Sequence, residues 1–224
     1  MLIINKTFLF LTWAIRAVIV AIIVLMVIRT IADLADLNPF TWASGWKSPI
    51  YCDNRVTLSH PTIRTYIRQK LTTIIQEEFG AVGCIAGVAT AGIPQGALVA
   101  QELGLPFIYV RSKPKDHGTG SLIEGEISPE KRIVVIEDLI STGKSSLQAV
   151  EALRAAGYQV AGLAAIFSYG FDVATENFKE AKCKFFTLSN YTALLKYAEE
   201  HQYISAKDVD ILKQWRKSPE TWGK

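Results

Sequence analysis

Ile133-Val134-Val135-Ile136-Glu137-Asp138-Leu139-Ile140-Ser141-Thr142-Gly143-Lys144-Ser145 is the stretch around which this 224-residue chain is organised. Ile133 to Ile136 are β-branched with no polar gap, which suits a strand buried on both faces of a parallel sheet. Glu137 and Asp138 follow at the expected carboxyl end of that strand. Ser141 to Ser145 are small or hydroxylic, and a helical pattern then runs through Arg154 and stops at Gly157. A strand, a tight turn and a helix N-terminus make an anion site, because free backbone N–H groups and the helix dipole point at the same place.

Acid and phosphate chemistry therefore lie within a few residues of each other. Two adjacent carboxylates can accept from neighbouring sugar hydroxyls or hold water on Mg²⁺, while the turn wraps a phosphate. A sugar phosphate with vicinal hydroxyls satisfies both. Gly143-Lys144-Ser145 also looks like the end of a Walker A loop, but that motif needs glycine five residues before Gly143, where Asp138 stands. An ATP-binding P-loop is excluded.

The run from Val135 to Gly143 resembles the phosphoribosyl pyrophosphate (PRPP) binding motif of the type I phosphoribosyltransferases. Two further stretches narrow the resemblance to the orotate phosphoribosyltransferases, over roughly residues 38–224. Ser44 to Asp53, with its turn formers and aromatics, is similar to the orotate-contacting segment of that family. On this resemblance Tyr51 and Cys52 line the base pocket, largely through backbone groups. The bland alternative for this segment is an edge strand packed on a core.

Tyr109 to Gly118 resembles the family's catalytic loop. Arg111, Lys113, Lys115 and His117 are, or can become, cationic within seven residues, and Gly118 and Gly120 follow. Such a run is most often a solvated loop. A pyrophosphate leaving group, however, needs charge of this sign on a loop able to close. Two departures stand out: Ser112 occupies a position where several relatives have lysine, and Thr90-Ala91 replaces a Tyr-Lys pair in the pyrophosphate loop of some members. No arginine occurs near Ser168 to Phe171, where some relatives place an orotate-binding one.

The resemblance implies a type I phosphoribosyltransferase α/β fold, a parallel sheet flanked by helices with a small N-terminal hood. It implies transfer of the 5-phosphoribosyl group from PRPP to orotate in de novo pyrimidine (UMP) biosynthesis, with Mg²⁺. The assembly it implies is a homodimer in which loop 111–121 is shared across the interface. Arg111, Lys115, His117 and Asp138 would be catalytic. Glu137, Asp138, Leu139, Ile140, Ser141, Thr142, Gly143, Lys144 and Ser145 would bind PRPP, together with the basic loop, and Ser141 would also reach orotate. Mg²⁺ would arrive with PRPP, through water on Asp138, with no direct protein ligand. Two rivals are a PRPP-binding regulator without chemistry and a membrane-tethered binding module of the same fold.

Composition narrows the field further. Hydrophobic residues make up 50% and charged ones 20%, which excludes a disordered chain. Outside residues 1–28 the balance is 22 basic against 21 acidic groups, so no basic face for nucleic acid is expected. Cys52, Cys84 and Cys183 are far apart and read as reduced thiols of a cytosolic protein.

Phe8 to Ile28 carries one charge, Arg16, and is long enough for a transmembrane helix of about 20 residues. The sequence divides at this level into a hydrophobic segment, 1–37, and a catalytic domain, 38–224. A cytoplasmic catalytic domain anchored by residues 8–28 is one reading; a misplaced start of the reading frame is the other.

Elsewhere periodicity predicts helices at Pro61–Phe79, Asp172–Lys182, Thr192–His201 and Ala206–Lys217, and one ending at Gly104. Buried strands are expected at Cys84–Ala89, Phe107–Val110, Val160–Phe167 and Phe185–Leu188.

Overall fold

The structure is a computed structural model that describes residues 39–42, 44–113 and 121–222. The hydrophobic segment 1–37 and the loop positions Lys115 and His117 lie outside the described residues. Among those described, no helix is long and apolar enough to cross a membrane. They fall into two compact units, residues 57–188 and residues 39–56 with 189–222.

The larger unit is built on β3 (Cys84–Val88), β4 (Phe107–Val110), β5 (Ile123–Glu124), β6 (Arg132–Ile140) and β7 (Gln159–Ser168). With β8 (Phe185–Asn190) these form a six-stranded sheet in the order β5-β4-β3-β6-β7-β8. The β3–β4, β3–β6 and β6–β7 pairs are parallel and β4–β5 is antiparallel. Cys84, Ala86, Val88, Ile133, Val135, Leu163 and Ala165 pack on one face with α3 (Lys144–Ala155) and α4 (Asp172–Glu180). On the sheet's other residues lie α1 (Pro61–Phe79), which buries Ile67, Leu71, Ile75 and Phe79, and α2 (Gly92–Leu103), which buries Val99 and Ala100. Continuous burial of β3 and the middle of β6 is what helices on both faces demand.

The chain leaves β3 for β4 on one side and places β6 on the other. The order thus reverses between β3 and β6, and their carboxyl ends open a crevice at the reversal, where open α/β sheets bind ligands.

The structure adds detail to these expectations. The central strand does not stop before the acids: it runs to Ile140, because the Glu137 carboxyl, held by the Asp138 amide and by Ser146 Oγ of α3, can stay in the sheet. β5 is an additional strand, pairing Tyr109 with Glu124 and Val110 with Ile123. His60 occupies the N-cap of α1 through its backbone alone, with no side-chain cap. The remaining helices and strands lie within a few residues of their expected bounds.

In the smaller unit, β1 (Phe40–Thr41) pairs antiparallel with β2 (Lys47–Ser48). The turn is closed by Trp42 N donating to Trp46 O at 2.9 Å. Trp215, fully buried, donates from Nε1 to Lys47 O at 2.9 Å and meets Trp42 edge-on with ring centroids 5.6 Å apart. It belongs to α6 (Ala206–Lys217), which starts with a Ser205–Asp208 capping box; α5 (Tyr191–Glu200) is capped by Asn190. This aromatic stretch, for which an edge strand packed on a core is the alternative reading, is a hairpin riveted to the carboxyl-terminal helices.

Candidate active site

Strand alternation puts Glu137 on the face of Ile133 and Val135, toward α3. Glu137 is 5% exposed. Oε2 accepts from Ser146 Oγ at 3.1 Å and Oε1 from the Asp138 amide at 3.1 Å. Burial, and then the charge of Asp138 beside it, push the Glu137 carboxyl well above the ordinary carboxylate range. Asp138 is half-buried, so one acid of the pair is locked inside and the other is reachable.

The turn Ser141–Gly143 leads into α3. Gly143 is the N-cap residue with φ +78°, a left-handed conformation that glycine adopts without penalty, and a Cβ there would meet Phe178 Cε2 at 2.7 Å. Leu147 N donates to Gly143 O at 2.9 Å, the first helical bond. Among the described residues no acceptor takes the amides of Lys144, Ser145 and Ser146, and α3 has no side-chain cap. These N–H groups at a positive helix end can bind a phosphate. Ser141 and Thr142 are half-buried, and Lys144 and Ser145 are exposed. Leu139 is half-buried, whereas Ile140 is fully buried and its carbonyl accepts from Tyr169 N at 3.0 Å. Ile140 therefore supports the loop from behind.

The second loop, Ala89–Ala91, carries a cis Ala89–Thr90 peptide bond and leads into α2, whose N-terminus also has no side-chain cap. Gly92 sits against the central strand so closely that a Cβ would collide with Ile136 O. The two loops are thus brought together beside Glu137.

The third loop begins at Arg111. Its amide donates to Leu122 O at 2.8 Å, and its guanidinium lies 3.6 Å from Glu124 Oε1. A cavity of about 410 Å³ lies between Ala89, Arg111 and one side of α3 from Ser145 to Ala155, over Val88 and Val110; Glu137, Asp138 and the Ser141–Gly143 turn do not line it. Lys115 and His117 belong to the part of this loop outside the described residues.

Tyr51 and Cys52 are in the smaller unit. Cys52 is buried with Sγ donating to Asn54 Oδ1 at 3.5 Å; Tyr51 is 39% exposed, its hydroxyl accepting from Arg55 at 3.4 Å. Arg55 also chelates Asp53 at 2.6 and 2.9 Å, and this pairing holds the Asp53 carboxyl below its usual range. Among the described residues no three His, Cys, Asp or Glu side chains cluster into a metal cage.

Sequence reasoning missed Ser146, Glu124 and Asn177, whose Nδ2 donates to Thr142 O at 3.0 Å. Ser146 follows directly on the loop residues and was within reach of the helical reading. Asn177 is 35 positions away from its partner and leaves no local signal.

A family model described as the phosphoribosyl transferase domain matches residues 58–197. The chain is 60% identical over 185 residues to the orotate phosphoribosyltransferase of Phocaeicola vulgatus, covering 83% of this chain and 87% of that one. It is 59% identical over 186 residues to that of Porphyromonas gingivalis, covering 83% and 89%. Among solved structures, the orotate phosphoribosyltransferase from Aeropyrum pernix has a TM-score of 0.66 at 27% identity, covering 75% of this chain and 92% of that one. The fold is also that of the Mycobacterium tuberculosis enzyme in complex with PRPP (TM-score 0.62, 21% identity, covering 80% and 98%).

Proposed function

The chain belongs to the orotate phosphoribosyltransferase family, and on that premise we propose how its own residues transfer the 5-phosphoribosyl group of PRPP to orotate in pyrimidine biosynthesis. The observation that carries the proposal is the meeting of Asp138 beside locked Glu137, the open amides of α3 and the Ala89–Ala91 turn at one crevice.

The amides of Lys144 to Ser146, with Ser141, Thr142 and Ser145, grip the 5′-phosphate. Asp138, the reachable carboxylate, serves the ribose hydroxyls, and Glu137, locked beside it, fixes the Asp138 amide. The bond from ribose C1 to the pyrophosphate oxygen breaks with its electron pair leaving on pyrophosphate, and orotate N1 takes its place on C1 as the N1 proton is lost to solvent. Positive charge grows on the ribose and negative charge on the leaving group. Positioning and charge stabilisation, with no covalent nucleophile, are what the protein must supply. Arg111, Lys115 and His117 neutralise the pyrophosphate as it departs, while Ser141 reaches orotate.

Mg²⁺ fits this donor set: it favours substrate phosphates with one or two carboxylates, and Asp138 would hold it through water while the ion shields the pyrophosphate charge. A homodimer sharing loop 111–121 completes the proposal.

The test is PRPP-dependent loss of orotate absorbance with the full chain and Mg²⁺, beside a Lys115→Ala variant. Turnover that falls about a hundredfold or more in the variant is expected, the scale of one lost charge-stabilising group. Binding of PRPP without turnover in the unaltered chain would overturn the enzymatic reading in favour of a regulator.

A further inference from the structure

The phosphate turn is supported from behind by a helix that contributes nothing to the family motif. Asn177 lies near the end of α4 and is half-buried. Its Nδ2 donates to Thr142 O at 3.0 Å. Only the NH₂ of an asparagine amide can donate to a carbonyl, so the partner itself fixes the orientation of the side chain. The next residue, Phe178, is buried, and its ring packs so close to Gly143 that a Cβ there would meet Cε2 at 2.7 Å. One turn of α4 thus holds both sides of the Thr142–Gly143 peptide.

That peptide is trans, the sole cis bond among the described residues being Ala89–Thr90. In a planar trans peptide the C=O and the following N–H point in opposite directions. Holding Thr142 O toward α4 therefore turns Gly143 N–H away from α4. The amide then joins those of Lys144, Ser145 and Ser146 at the open end of α3. If the peptide rotated, a carbonyl oxygen would face the anion in place of a donor.

We propose that Asn177 is a positioning residue for the 5′-phosphate of PRPP, acting through the orientation of the Thr142–Gly143 peptide. The inference rests on the phosphoribosyl-transfer reading and deepens it. It separates the two anions of the substrate: Asn177 serves the 5′-phosphate loop alone and leaves the pyrophosphate loop, Ala89–Ala91, untouched.

The experiment titrates the full chain, by calorimetry, with ribose 5-phosphate, PRPP and inorganic pyrophosphate separately. Unaltered protein is compared with Asn177→Ala and the isosteric Asn177→Asp, which keeps the shape of the side chain and loses the donor. Both variants should weaken ribose 5-phosphate and PRPP about tenfold, equivalent to ~1.4 kcal/mol, and leave pyrophosphate within about twofold. Turnover at saturating PRPP should change much less than KM for PRPP.

Equal weakening of all three ligands would reduce Asn177 to a structural support and overturn the proposal. Unchanged ribose 5-phosphate affinity in variants of an otherwise active protein would overturn the proposal alone. An unaltered chain that binds neither PRPP nor ribose 5-phosphate would sink the underlying reading and the proposal together.

Discussion

Glu137 shows what a single residue costs and contributes at this site. Its carboxyl is removed from water and sits beside Asp138, so its folded pKa lies above the ordinary value of 4.5. Between the unfolded and the folded value the folded chain holds a proton that the unfolded chain has lost. Stability from this group is therefore full below the unfolded pKa and declines as pH rises through the window. Glutamine cannot ionise, and it can still accept from the Asp138 amide while its NH₂ donates to Ser146 Oγ. Glu137→Gln should therefore melt above the unaltered protein at about pH 8, by roughly 2–4 °C for each ~1 kcal/mol of relief. The gap should close as pH falls toward 5, while affinity for PRPP drops. Scanning calorimetry across pH reads this directly; a variant destabilised equally at every pH would mean that the carboxyl is ionised and held by its two donors. The adjacent acids and the glycine-bearing turn were legible in the sequence as a sugar-phosphate pair. Their division into a locked and a reachable carboxylate was not, since it depends on Ser146 approaching from the first turn of α3.

Elements whose ends carry their own chemistry were readable. Pro61 opens α1 and Gly80 follows its last residue; Ser205 and Asp208 cap α6 reciprocally. β5 was not, because two residues without a period pair only once Arg111 and Leu122 are joined across the hairpin. The end of β6 was misjudged for a related reason: two carboxylates look like a strand's exit until one acquires buried donors. The packing of α2 on the central strand was equally hidden. At Gly92 the helix comes so close to β6 that a methyl would collide with Ile136 O, a backbone atom in the middle of the sheet. That atom cannot move aside, so α2 would have to lift. Gly92→Ala should cost about 3 kcal/mol, near the upper end for overpacking, and lower Tm by roughly 10 °C. Because α2 carries the pyrophosphate turn at its N-terminus, pyrophosphate affinity should fall more than that for ribose 5-phosphate. Melting curves and titrations with the two ligands check both parts, and a variant as stable as the original would show that the approach of α2 is not constrained.

At the scale of the whole molecule, the question is whether one chain holds all the parts of a working site. Asp138 and the phosphate turn belong to the rigid carboxyl ends of β6 and the start of α3, whereas Lys115 and His117 are on a loop that the proposed dimer shares between subunits. Two inactive variants can separate the possibilities. Lys115→Ala spoils the loop and spares the crevice; Asp138→Asn does the reverse. Unfolded together and refolded, or co-expressed, equal amounts of the two in a two-fold dimer should give hybrids as half of all dimers. Each hybrid has one site that combines an intact crevice with the intact loop of its partner, so recovered turnover should approach about a quarter of the unaltered value. A loop working within its own chain leaves every site with one defect, and turnover stays at the level of the separate variants. The mass of the mixture, near twice the 24.8 kDa of one chain, must be verified in the same sample. Dimers of the right mass without recovery would keep the assembly and discard the sharing of the loop.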